Sequence, residues 1–215
     1  MHKISLNYLS FFLILISFLS FINIAYSYYF NLYLNIDTYF YTLLISLALG
    51  IIFIIIRKKN FKVNIYNKII TVLAGYFILP LIISLPYFLS IYNISFLDCY
   101  FEAVSGFTST GFSIFENVKH LDQSLILWRS TSQWIGGIYF LFSIILLIDI
   151  FDDNLKKSLT NFISFNNLES FKQFIKIFVL YISLTLFIFL SLKLIDIRYF
   201  DSLNLSMTII SSGGF

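Results

Sequence analysis

Ser95-Phe-Leu-Asp98-Cys-Tyr-Phe-Glu102-Ala-Val-Ser-Gly-Phe-Thr108-Ser-Thr110-Gly111-Phe112 is the stretch on which the reading of this chain turns. Ser95 and Asp98, three apart, form a capping-box pattern, so a helix begins there. It has room for only about ten residues before the Gly106 and Thr/Ser-rich turn, roughly 15 Å at about 1.5 Å per residue. That is half of an apolar bilayer core about 30 Å thick. Residues 198–215 lie over 95–112 without a gap: Asp98 falls on Asp201, Gly111 on Gly214 and Phe112 on Phe215. Asp201 is expected to supply the start of the second helix and Ser211 to Gly214 its turn. Upstream, the same shift of 103 carries the apolar run Ile69–Ile91 onto Lys172–Leu194. The repeated unit is a long apolar run, a short helix and a small-residue turn.

Composition places both units in a membrane. Of 215 residues 59% are hydrophobic and only 12% charged, more apolar than a soluble surface tolerates. Spans are expected at about 9–30, 38–56, 69–91, 126–150 and 173–195. For the first, Lys3 followed by an apolar run and Ala25-Tyr26-Ser27 also fits a cleaved signal peptide. Its apolar character continues through Tyr28, Tyr29 and Phe30 to Leu34, which suits a span with an interfacial aromatic belt. The units expected are an N-terminal hairpin over 1–60, a helix-pore-helix repeat over 61–150 and a second repeat over 151–215.

Basic residues orient the chain. Arg57, Lys58, Lys59, Lys62 and Lys68 follow the second span, and Lys156, Lys157 and Lys172 follow the fourth. These links and the N-terminus are therefore expected in the cytoplasm. The outer links then hold Asp37, Asp98, Glu116, Asp122 and Asp201, although the whole chain is formally +3. An acidic outer face concentrates cations, and it is equally what ordinary insertion leaves behind. Cys99 stands alone, which excludes an intrachain disulfide, and His2 and His120 lie in no ligand-spaced cluster, so no transition-metal site is expected.

A half-depth helix ending in a turn is stable in a bilayer only where the turn is buried in protein or lines water, because an unpaired peptide group in hydrocarbon costs several kcal/mol. Such a turn can present carbonyl oxygens in place of a cation's hydration shell, and Gly111 permits backbone angles closed to other residues. The helix C-terminus adds partial negative charge. The fold class expected is an all-α membrane protein of about five transmembrane helices plus two re-entrant pore helices with filter loops.

The run from Phe101 to Phe112, followed by Trp128-Arg129-Ser and Gln133-Trp134-Ile-Gly136-Gly137, resembles the first pore repeat of the bacterial Trk/Ktr potassium-uptake subunits of the TrkH-like kind. Ser211-Ser212-Gly213-Gly214-Phe215 resembles that family's second filter. The resemblance is specific over about 70–137 and weaker over 173–215. It implies that Thr108, Ser109, Thr110 and Gly111, with Ser211, Ser212, Gly213 and Gly214, are two of four filter strands around one axis. It implies K+ rather than Na+, since Ser in the first filter accompanies sodium passage. It further implies a homodimer in the bacterial inner membrane, surrounded by membrane lipid and gated by a cytoplasmic nucleotide-binding regulatory subunit of the TrkA/KtrA type, with no nucleic acid partner and no cofactor beyond the transported K+. Family members continue past the second filter with two further repeats, so a fragment or split subunit is expected, with a non-conducting scaffold or remnant as the alternative.

Two features stay open at this level. Arg129, near the outer end of its span, either snorkels to the headgroups with Trp128 and Trp134 as interfacial anchors or pairs with Glu102 to brace the filter. Gly136-Gly137 allows close helix packing or a kink. Nothing resembles a nucleotide-binding motif, and Ser105 and Ser109 have no histidine near them in sequence, so no enzyme is expected. The driving force is then the membrane potential, about 2.3 kcal/mol per charge per 100 mV. The orientation is checked by reporter fusions: alkaline phosphatase joined after Leu34 is expected to be active, and joined after Asn60 inactive. The reverse pattern overturns the assignment.

Overall fold

The computed structural model describes residues 6–56, 65–147 and 170–214. Its elements are α1 (Leu6–Tyr29), α2 (Ile36–Ile56), α3 (Ile65–Ile83), α4 (Leu85–Phe88), α5 (Phe96–Phe107), a 3-10 turn (Val118–His120), α6 (Gln123–Leu147), α7 (Ser170–Leu194) and α8 (Tyr199–Ile210). There is no strand among the described residues. Among the described residues five helices are long and apolar enough to cross a membrane, α3 and α4 together making one span over Tyr66–Phe88. The chain is an all-α integral membrane protein. Each long helix begins two to four residues before the apolar run that announces it, because first turns such as Gln123-Ser124 and Asn67-Lys68 are helical without being apolar. The orienting cations Arg57, Lys58, Lys59, Lys62, Lys156 and Lys157 lie outside the described residues.

Small side chains join α1 to α2. Thr38, Thr42, Ser46 and Gly50 recur every four residues along one buried stripe of α2. A Cβ on Gly50 would sit 3.0 Å from Ile14 Cγ1. Where apolar burial gives no preference over lipid, such stripes let backbones approach and hydrogen bonds add to the contact. Ser20 Oγ donates to the Tyr39 carbonyl at 2.6 Å and Ser17 Oγ to the Leu43 carbonyl at 3.3 Å. At the N-terminal end of α1, Phe12 meets Tyr139 and Phe142 of α6 (ring centroids 4.8 and 5.3 Å) and Phe174 of α7 (5.8 Å), joining the hairpin to both repeats.

The third span breaks at Ser84. Pro86 has no N–H to offer the preceding turn, so the helix resets as the short α4. The Ile83 carbonyl at that break accepts from Trp128 Nε1 at 3.0 Å. Trp128 is therefore a core residue and not an interfacial anchor, and Trp134, also buried, donates to Thr185 Oγ1 at 3.0 Å.

The repeat is geometric as well as textual. α5 and α8 each have 12 residues and start 103 positions apart. Asn93 (φ 50°) and Asp196 (φ 61°), equivalent under that shift, are both left-handed just before these helices, and Ser109 (φ 55°) and Ser212 (φ 54°) are both left-handed just after them. Gly75 lies under Tyr139, whose hydroxyl donates to the Val72 carbonyl at 2.9 Å; a Cβ there would overlap the phenol, with Cε2 only 2.9 Å away. Gly75→Ala is expected to lower the melting temperature in detergent, and less so in a Tyr139→Leu background, with a coupling of about 0.5–3 kcal/mol. Additive effects would refute the contact.

Candidate functional site

The first loop is built by the end of α5. Ser95 caps the start: its Oγ accepts from Asp98 N at 3.3 Å and donates to Asp98 Oδ2 at 2.7 Å. At the other end Thr110 N donates to the Ser105 carbonyl and Ser109 N to the Gly106 carbonyl, both at 3.0 Å, with Ser109 left-handed. This is a Schellman closure with Ser where Gly is usual. A left-handed Ser costs about 1–2 kcal/mol. The hydroxyls turn back to the helix, Thr108 Oγ1 donating to the Val104 carbonyl at 2.8 Å and Thr110 Oγ1 to the Ser105 carbonyl at 3.2 Å. Ser105 Oγ in turn donates to the Phe112 carbonyl at 2.6 Å, fixing where the chain leaves the turn.

The second loop copies the closure. Gly213 N donates to the Thr208 carbonyl at 3.0 Å and Ser212 N to the Ile209 carbonyl at 3.1 Å, each 103 residues on from its counterpart. Its start differs. Arg198 occupies the cap position with no side-chain cap bond, and Asp201 lies in the first turn, accepting from Arg198 Nε at 2.8 Å, so Asp201 does not itself begin the helix. The two loops meet at the shared glycine: a Cβ on Gly111 (φ 79°) would lie 2.7 Å from Gly214 Cα and 3.0 Å from its nitrogen. Thr108, Ser109, Ser211 and Ser212 border one cavity of about 590 Å³, whose walls include Tyr76, Phe140, Tyr181 and Gly136-Gly137. Both pore-helix C-termini face it.

Of the two readings of Arg129, burial decides for the pair. Arg129 is 4% exposed and Glu102 0%, and Arg129 Nε donates to Glu102 Oε1 at 2.8 Å. Ser113 Oγ donates to Glu102 Oε1 at 3.2 Å and accepts from Arg129 Nη2 at 3.0 Å, while the Ile114 amide donates to Glu102 Oε2 at 2.9 Å. The carboxylate thereby ties the segment leaving the first loop to both α5 and α6. The Arg129 guanidinium also sits 5.5 Å from the Phe115 ring centroid.

α6 receives both pore helices. On one face Gly136 meets the Phe107 carbonyl so closely that a Cβ there would overlap it. On the adjacent face Ser130 Oγ donates to Asn204 Oδ1 at 2.6 Å, and a Cβ on Gly137 would lie 3.0 Å from Ser211 Cβ. Gly136-Gly137 is thus a close-packing device. Between these contacts the Gln133 carboxamide is pressed against Gly213. Sequence reasoning singled out neither Gln133 nor Ser113. An amide in the middle of an apolar span is itself a functional signal, whereas Ser113 carries none.

Similarity to known proteins follows the same outline. The chain is 29% identical over 196 residues to an uncharacterized cation transporter of Methanocaldococcus jannaschii, covering 86% of this chain and 40% of that protein. Over 55 residues, 26% of this chain and 11% of the relative, it is 42% identical to the Trk system potassium uptake protein TrkI of Halomonas elongata. It is 28% identical over 83 residues, 38% of this chain and 17% of the relative, to TrkG of Escherichia coli. The chain is a Trk homologue. The crystal structure of the potassium transporter TrkH from Vibrio parahaemolyticus shares its fold, with a TM-score of 0.70 at 23% identity over 98% of this chain and 44% of that one. No protein-family model matches. This Trk homologue spans about 40% of the M. jannaschii relative and less of the other two.

Removing one partner from a buried ion pair strands the other charge, at a cost of about 3–5 kcal/mol. In this Trk homologue Arg129→Met is expected to destabilise by that order, and Glu102→Leu combined with Arg129→Met by much less, read from thermal unfolding in micelles. A double variant as unstable as the sum of the singles contradicts the pairing.

Proposed function

We propose that this Trk homologue takes part in potassium uptake across the bacterial inner membrane, its N-terminus in the cytoplasm, as part of a Trk-type pore-forming subunit. The observation that carries the reading is the meeting of Gly111 and Gly214 at the ends of two identically closed half-depth helices. The Thr108, Thr110 and Ser211 hydroxyls are bonded back into the helices, which leaves backbone oxygens, beside Ser109 and Ser212 at the cavity wall, as the polar groups a desolvated cation would meet. The potassium-uptake names of TrkI and TrkG support the choice of ion.

In this reading Thr108 to Gly111 and Ser211 to Gly214 supply two of the four filter strands that the Trk resemblance implies. The helix C-termini place partial negative charge toward the 590 Å³ cavity, which serves as the inner vestibule. Glu102 and Arg129 hold the first filter's exit. Exposed apolar residues along α2 and α7 face lipid or a second copy in a homodimer. A cytoplasmic nucleotide-binding subunit of the TrkA/KtrA type is the proposed regulator. The units proposed are the hairpin over 1–60 and repeats over 61–150 and 151–215, as the equal offsets of α5 and α8 support.

Gly111→Ser places a side chain at positive φ and against Gly214. Expressed from the complete gene in cells lacking their own potassium uptake, this variant is expected to lose at least tenfold in rubidium uptake or in discrimination against Na+. Unchanged uptake and selectivity would remove Gly111 from the ion path.

A further inference from the structure

The two loops are held by different means. Behind the first stands the Glu102 carboxylate, bonded to the Ile114 amide and to Ser113. Under the 103-residue shift its counterpart in the second repeat is Leu205, which is 40% exposed and brings no polar atom to the second loop. What lies against that loop is Gln133, from α6 of the other repeat. Its Nε2 is 2.6 Å from where a Cβ on Gly213 would be, and Cδ and Oε1 are closer still. Gln133 is 0% exposed, and neither Nε2 nor Oε1 has a hydrogen-bond partner among the described residues. A buried carboxamide with donors and acceptor unspent is destabilising, because it has given up its water and gained nothing in return. An apolar side chain of the same length would avoid that cost.

We propose that Gln133 is a positioning residue for the second loop: its carboxamide is held against Gly213 to take up backbone groups of residues 211–214 as the loop turns its carbonyls toward an ion. When carbonyls point along an ion path, the N–H groups of the same peptides point away from it and need an acceptor. Ser212 N and Gly213 N already donate to the Ile209 and Thr208 carbonyls, so Gln133 Oε1 is the acceptor for the N–H of Gly214, and Nε2 can donate to a carbonyl not facing the ion. Neighbouring contacts hold the amide in place, because Ser130 is bonded to Asn204 one turn before it and Gly137 abuts Ser211 one turn after it. Gly213 itself is required by this arrangement, since any side chain there would displace the carboxamide. The first loop is thus braced from within its own repeat and the second from across the repeat boundary. The selectivity consequence rests on the transport reading; the support of the loop does not.

The test compares Gln133→Met, which keeps length and apolar packing, with Gln133→Glu, which when buried and neutral keeps an acceptor oxygen. Amide hydrogen exchange over 208–214 and 105–111 is followed by mass spectrometry of the full-length protein in K+ buffer. Gln133→Met is expected to speed exchange at 211–214 at least tenfold and to leave 105–111 within twofold, at an unchanged or raised melting temperature. Gln133→Glu is expected to keep exchange near the wild-type rate. Unchanged exchange in Gln133→Met, or equal acceleration in both loops, overturns the proposal. In cells, Gln133→Met is expected to reduce K+ over Na+ discrimination at least fivefold. If the wild-type protein moves no alkali cation, the transport reading fails while the exchange result still judges the role of Gln133. Slow exchange restored by Gln133→Glu together with unaltered discrimination in Gln133→Met would overturn the selectivity consequence alone.

Discussion

Inside a bilayer a peptide group that is not hydrogen-bonded by the protein has no water to fall back on, and the architecture around α5 and α8 answers to that requirement. Both helices stop at half depth, where a chain reversal frees several N–H and carbonyl groups at once. The Schellman closures at Ser109 and Ser212 each absorb four of them, two N–H and two carbonyl groups, with a serine held in the left-handed region. Ser105 then takes the Phe112 carbonyl and Glu102 the Ile114 amide, so the first chain reversal is satisfied through to its exit.

Satisfying a backbone at this depth also requires something close enough to pack on it, and α6 fills that need. Its first half carries two adjacent faces, one with Arg129 and Gly136 toward α5 and one with Ser130, Gln133 and Gly137 toward α8. Glycine serves approach here, since the Phe107 carbonyl occupies the space a side chain at 136 would need. A buried ion pair is weak evidence for stability on its own. Arg129 and Glu102 contribute position, because the carboxylate puts both oxygens to the segment leaving the first loop.

Much of this was legible in the chain itself. Apolar runs of membrane length locate the five spans to within a few residues, and their starts shift earlier only because polar first turns belong to the helix. The capping pattern at Ser95 announces α5 correctly, since an N-cap is a local interaction whose partners lie three residues apart. At Asp201 the same reasoning misplaces the start, because Arg198 sits at the cap without a capping side chain and engages the aspartate from outside. The aromatic residues were misread for a related reason. Tryptophan near a span end fits an interfacial anchor by frequency, whereas the indole of Trp128 is fixed by the Ile83 carbonyl at the break in the third span, 45 residues away in sequence.

By itself, then, the sequence determined the membrane setting, the two half-depth helices and their 103-residue repeat, because hydropathy, capping and turn chemistry act over a few neighbouring residues. Tertiary structure alone decided that Arg129 is paired and not at the headgroups, that Gly111 faces Gly214, and that Gln133 lies behind Gly213. Each of these is a contact between segments 27 to 103 residues apart in the chain. Which of several chemically acceptable partners such a residue meets depends on how the helices pack, and no local pattern carries that information.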